Sequence, residues 1–208
     1  MNKDTLNNII NLDNNQQGKK NTSYNQSSDL REEKEITNTS YSFWLGGFVE
    51  GEGSLSVSII LNLKYEFGVH LQPIFNVTQH VNGVSILNSF KKLFNEKGSL
   101  HLKSGAHNVW VYELKGTKNL ITYVIPFFSN YVLPFSCKKV EYENFKKIVL
   151  GLQNKEHFQK ESLIELVKLA YSYSGKGNNR KRTLNEVLSV IQDKETYFKN
   201  LQMKDNEV

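Results

Sequence analysis

The sequence predicts an α+β fold: one four-stranded antiparallel sheet covered by helices on one face. Three observations carry this. Alternating apolar segments come in two pairs, each pair joined by a polar or glycine-bearing turn. Segments with apolar residues at helical spacing precede, separate and follow the pairs. At 208 residues the chain is long enough for one good core and too short for two ordinary domains.

Residues 1–38 are polar and rich in Asn, Gln and Ser, which predicts a mostly disordered arm with at most a short helix near 5–10. A single domain is expected over 39–200, its C-terminal helices beginning at about 155, with 201–208 as a tail. Ser40 or Ser42 is placed to cap the first helix, which runs to about Gly51. Residues 54–61 alternate as a strand, 62–68 form a polar turn, and 69–78 form a second strand. Pro73 in it argues for a position where the sheet asks no backbone donor. Val84, Leu87, Phe90 and Phe94 mark a helix over 82–95. Residues 99–103 and 108–114 read as a hairpin about Ser104-Gly105-Ala106. A helix over 117–127 is expected to end near Pro126, followed by an amphipathic helix over 137–152, another over 160–173, a basic loop at 175–182 and a last helix over 183–200.

Composition narrows the chemistry. A net charge of +5 and a pI near 9.1 are compatible with a polyanionic partner. A single cysteine, Cys137, excludes a disulfide framework and a cysteine-based zinc site. The five histidines lie at 70, 80, 101, 107 and 157, without metal-ligand spacing. No apolar run reaches the roughly 20 residues of a membrane span, so no membrane partner is expected. The N-terminus has neither a signal-peptide pattern nor the acid-poor character of a transit peptide.

The most informative stretch is Leu45-Gly46-Gly47-Phe48-Val49-Glu50-Gly51-Glu52-Gly53. Two carboxylates stand where an apolar helix gives way to a strand. Carboxylates at such a junction are solvated, hydrogen-bonded or bound to a cation. Adjacent glycines each cost a helix roughly 1 kcal/mol against Ala, which makes sense where another backbone comes very close. On the sheet, period-two reasoning directs Leu55, Val57, Ile59, Phe75, Val77, Leu100, Leu102, Val109 and Val111 inward. Ser56, Ser58, His70, Gln72, Asn76, His101, Lys103, Asn108, Trp110 and Tyr112 are then left outward, with Lys64 and Tyr65 at a turn. Amides, hydroxyls, His and Lys are groups that read base edges or touch phosphates. An ordinary wet sheet face is polar as well.

Residues 45–53 resemble, position for position, the LAGLIDADG motif of homing endonucleases. The resemblance implies that family's αββαββα fold, with the outer sheet face bound in a DNA major groove. It implies a metal-binding catalytic acid at Glu52, assisted by the Gly51 carbonyl; many members carry Asp there. The segment from Phe75 to Val84 resembles the end of the family's second strand and maps a catalytic-shell Gln onto Gln79. The segment around 125–145 resembles the entry to the family's long helix and maps its lysine onto Lys138, with Lys139 as the alternative. Glu50 is expected to bind backbone donors at the helix junction. With one motif per chain, a homodimer is implied, with Trp44, Leu45, Gly46, Gly47, Phe48 and Glu50 at the interface. Mg²⁺ is the expected cofactor, with Mn²⁺ or Ca²⁺ able to substitute in binding.

Pro73, Phe75, Gly83, Lys103 and the Val124–Phe127 segment are similar to chloroplast members encoded in group I introns of the large-subunit ribosomal RNA gene. That likeness covers about residues 40–152, and Gly53 stands where those end the motif in Ala. It implies an organellar protein, chloroplast ahead of mitochondrion, that cuts a long pseudo-palindromic DNA site to spread its intron. The alternative is an intron maturase, or a DNA- or RNA-binding protein without nuclease activity.

Overall fold

The computed structural model describes residues 29–133, 136–172 and 180–205, the side chains of 29–38 and 204–205 excepted. Met1–Asn38 and Thr39–Val208 are separate units; the second holds the sheet and the helices that cover it. The expected helix near 5–10 lies outside the described residues.

Helix α1 (Asp29–Glu52) starts ahead of both serines expected to cap it. Ser42, Leu45 and Val49 share its buried stripe. Strand β1 (Gly53–Leu61) follows without a loop and pairs antiparallel with β2 (Val69–His80), from Gly53 opposite Val77 to Leu61 opposite Val69. The turn between them closes through the Asn62 amide on the Gly68 carbonyl at 3.0 Å. Gly68 takes φ +70°, and a Cβ there would stand 2.8 Å from Val190 and 2.9 Å from Lys194, so two demands select glycine. After a 3₁₀ turn (Val81–Gly83) come α2 (Val84–Leu93), β3 (Ser99–Leu102) and β4 (Val109–Lys115).

The four strands form one antiparallel sheet in the order β1-β2-β4-β3. Pro73 lies one residue before the β2–β4 ladder begins at Ile74, so on that side no partner asks for its missing amide. Helices pack on one face over an aromatic core. The ring of Phe75 lies 5.8 to 6.4 Å from those of Phe90, Phe94, Tyr112 and Phe128.

The C-terminal half is helical. A run over 117–132 (α3) alternates α and π turns and passes through Pro126 rather than stopping there. The π turn before it closes through the Ile125 amide on the Leu120 carbonyl, and Pro126 stands next in the run. Helix α4 (Lys139–Gln153) buries Tyr142, Phe145, Ile148 and Val149, and α5 (Lys160–Ser172) buries Leu163, Leu166 and Val167. The expected last helix is two, α6 (Leu184–Gln192) and α7 (Lys194–Asp205). Asp193 divides them, its carboxylate accepting from the Thr196 amide at 3.0 Å as a helix N-cap does.

Candidate nucleic-acid interface and acid site

The face of the sheet away from the helices carries Ser54, Ser56 and Ser58 from β1, and His70, Gln72, Asn76 and Thr78 from β2. Their partners Leu55, Val57, Leu71, Phe75 and Val77 are buried on the other side. His101 is exposed on the outer face, Lys103 is exposed just past the end of β3, and Asn108 is exposed at the turn into β4, in a left-handed conformation with φ 57°. Lys64 is exposed in the β1–β2 turn. The Tyr65 ring stacks on His70 at 4.9 Å, and burial holds the His70 imidazole below its ordinary pKa.

Strand β4 is reversed relative to expectation. Tyr112 is fully buried and donates its hydroxyl hydrogen to the Lys97 carbonyl at 2.7 Å. Burial pushes that phenol's pKa upward. Trp110 is half-buried and packs against the same core. Neither faces the outer surface. Val109, Val111, Glu113 and Lys115 do, Glu113 and Lys115 joined by an ion pair of 2.6 Å. The run Val109-Trp-Val-Tyr112 is apolar on both parities, so alternation alone could not orient it. The polar pair Glu113 and Lys115 carried the usable signal. Leu102 likewise ends exposed at the sheet margin.

The acid site lies where α1 becomes β1. Glu52, the last residue of α1, and Gly51 are both exposed. Glu50 turns inward to the start of α4. It accepts from the Ser136 hydroxyl, from the Cys137 amide at 3.2 Å and from the Cys137 thiol at 2.8 Å. Burial alone would raise the Glu50 pKa. The bonds from Cys137 and Ser136, with the Lys138 charge nearby, outweigh it and hold the carboxyl below its ordinary range. The same bond holds the Cys137 thiol above its usual value. Ser136 Oγ in turn accepts from the Lys138 amide at 2.9 Å, so Lys138 is placed beside this end of the sheet.

Gln79 lies at the same end of the sheet by register, on the parity of Phe75 and Val77 that faces the helices. Gly53 pairs with Val77, so Gln79 lies two residues beyond the last β1–β2 pair and Glu52 one residue before it. Its Oε1 accepts from the His80 amide at 2.7 Å. The side chain lies over Gly83, where a Cβ would collide with its Cγ.

Helix α1 also presents an apolar exposed face. Phe43 and Trp44 are each half exposed, and the Trp44 ring stacks between Tyr41 and Phe48. Gly47 and Gly51 are exposed with nothing of the chain within 4 Å of an added Cβ. Leu45 and Gly46 do not belong to this face. Leu45 is buried in the chain's own core, and a Cβ on Gly46 would collide with the Tyr131 carbonyl. The two adjacent glycines therefore serve different neighbours.

Among the described residues, no three of His, Cys, Asp and Glu cluster as a metal cage. The donor set at the α1 end suits a hard cation: an exposed carboxylate beside carbonyls at a helix C-terminus. No helix among the described residues is long and apolar enough to cross a membrane.

The family pattern described as LAGLIDADG endonuclease matches residues 45–149. The chain is 36% identical over 138 residues to DNA endonuclease I-CeuI of Chlamydomonas moewusii, covering 65% of this chain and 62% of that relative's length. It is 32% identical over 152 residues to homing endonuclease I-ApeII of Aeropyrum pernix, covering 71% of this chain and 88% of that relative. Two solved structures, each complexed with DNA, are similar. The archaeal intron-encoded I-Vdi141I gives a TM-score of 0.67 at 34% identity, over 76% of this chain and 96% of that one. The group I intron-encoded I-CeuI gives 0.67 at 28% identity, over 82% and 79%.

Proposed function

The chain belongs to the LAGLIDADG endonuclease family, and on that premise we propose that it is a site-specific homing endonuclease. It makes a metal-dependent double-strand break in a long pseudo-palindromic DNA site, in an organellar large-subunit ribosomal RNA gene, and so promotes mobility of a group I intron. The observation that carries this reading is the exposed Glu52 carboxylate at the end of a polar, strand-built outer face. The group I intron-encoded likeness supports the intron. Frequent Asn, Lys and Ile suit an AT-rich organellar genome, and the algal relative favours the chloroplast over the mitochondrion.

Glu52 and the Gly51 carbonyl would hold the cation, Mg²⁺ by preference. A bound divalent ion lowers the pKa of water and neutralises charge on the phosphate and the leaving oxygen. Gln79 orients the attacking water, and the Lys138 ammonium stabilises charge developing on the phosphate. A similar structure was determined on an uncleaved DNA target in the presence of calcium ions, in keeping with oxygen donors at such a site.

One chain supplies one such acid, and cutting both strands requires two. The apolar face of α1, with Trp44, Phe48 and the bare Gly47, is offered to a second copy about a two-fold axis.

The test is cleavage of a supercoiled plasmid bearing an intronless large-subunit ribosomal RNA gene segment, with Mg²⁺, with EDTA, and with Glu52→Gln. One discrete double-strand cut, lost with EDTA and with the variant, is the expected result. Tight binding without a cut would assign the chain a binding role, and intron RNA would then be the ligand to try.

A further inference from the structure

Strand β1 is an edge of the sheet, and its free side meets the basic segment 180–182. Arg180 Nη1 donates to the Val57 carbonyl at 3.2 Å, and Nη2 donates to the Ala170 carbonyl at 2.8 Å. Its guanidinium carbon stands 4.6 Å over the Tyr171 ring. The Tyr171 hydroxyl donates to the Arg182 carbonyl at 2.9 Å. A short surface segment is thus fixed to a strand edge, a sheet-covering helix and an aromatic ring.

The result is a cleft of about 210 Å³ between the β1 margin and this segment, with Ile59, Tyr171 and Val187 as its apolar wall and Ser58, Arg180, Lys181 and Arg182 as its polar rim. Ser58 is exposed and belongs to the outer sheet face; Lys181 is exposed. Arg182 Nε lies 3.6 Å from Glu186, both side chains more than a third exposed, a geometry that contributes little. Among the described residues of this cleft, Lys181 stands between Arg180 and Arg182 at the border of the outer sheet face.

We propose that this cleft seats a backbone phosphate of the duplex lying on the outer face. The Ser58 hydroxyl and the Lys181 ammonium contact the phosphate oxygens. Arg180 is a positioning residue that holds Lys181 at the β1 margin. The inference rests on the proposed DNA-binding role. Ser58 is six residues along β1 from Glu52, which at a rise near 3.3 Å per residue is about 20 Å. The phosphate held here is thus in an arm of the site, away from the bonds that are cut, and the contact is independent of sequence.

The experiment follows anisotropy of a labelled random-sequence duplex across a salt series, using the full chain. Neutralising one phosphate contact lowers the slope of log K against log salt by about 0.9. Lys181→Ala should show that loss per chain. Lys147→Ala is the control of equal charge change, because Lys147 is exposed on α4, which packs on the opposite face of the sheet. It should keep the wild-type slope. Arg180→Lys keeps the charge but cannot bridge both carbonyls, and should reproduce the Lys181→Ala loss. If wild type binds the duplex and Lys181→Ala keeps its slope, or changes it no more than Lys147→Ala, the clamp is wrong. Absence of duplex binding by wild type would instead overturn the DNA-binding role, and the clamp with it.

Discussion

The Glu50 carboxylate accepts a hydrogen bond from the Cys137 backbone amide at 3.2 Å, across 87 positions of sequence. With the Ser136 hydroxyl it ties the end of α1 to the start of α4. Of two acids one residue apart, one is spent on architecture and the other is left to solvent. The tie sets where Lys138 stands relative to Glu52, because Ser136 also accepts the Lys138 amide.

Replacing Glu50 by Gln should cost about 1–3 kcal/mol at neutral pH, as expected for hydrogen bonds to a charged group. The folded pKa lies below the ordinary value of 4.5. The contribution is therefore full above that value and is lost as pH falls through the lower folded pKa. Urea unfolding of both proteins should show curves that converge in acid. A gap that persists at low pH would remove the ionised carboxylate as its cause.

Gly46→Ala and Gly47→Ala should separate folding from assembly. The first must displace the Tyr131 backbone and should lose about 1–3 kcal/mol, in the range of overpacked sites. The second meets nothing in its own chain and should gain up to about 1 kcal/mol in helix propensity. Sedimentation velocity should shift Gly47→Ala toward a lighter species while Gly46→Ala melts early at any concentration. Unchanged assembly in Gly47→Ala would argue against α1 as the two-fold contact.

Tyr112→Phe should lose about 1 kcal/mol with its bond to Lys97. Its duplex affinity should equal that of wild type, because the ring lies in the core. A weakened affinity with unchanged stability would contradict the orientation of β4.

Gly83→Ala tests Gln79 without touching it. The backbone at φ −108° accepts Ala, but the new methyl must push the Gln79 side chain aside. A displacement on the order of 1 Å costs roughly 100-fold in turnover where a group orients a reactant. Cleavage rate at saturating DNA should fall while affinity holds. Full activity would show that Gln79 has no part in orienting water.

Much of the fold was legible in the sequence. The Leu45–Gly53 stretch located the helix-to-strand junction, and the alternation of Ser54–Ser58 and of Val69–Gln72 sorted both faces of β1 and β2, although Ile59-Ile60-Leu61 and Pro73-Ile74-Phe75 are apolar on both parities. In β4 apolar residues occupy both parities, and only Glu113 and Lys115 could have oriented the strand. The paired glycines read as one close approach, whereas one faces the chain's own Tyr131 and the other faces outward; sequence names the residue type but not its neighbour. Asp193 was a readable cap inside a run of helical periodicity. The anchoring of Arg180 on Val57, 123 positions away, had no local signal at all.

That anchor also bears on how the protein survives at high concentration. An open sheet offers two rims of unpaired backbone on which a foreign strand can add. Here one rim has its Val57 carbonyl occupied by a guanidinium, and the other is β3, only four residues long. The fold thus keeps a broad exposed sheet face for a nucleic acid while giving amyloid-like growth little to start from.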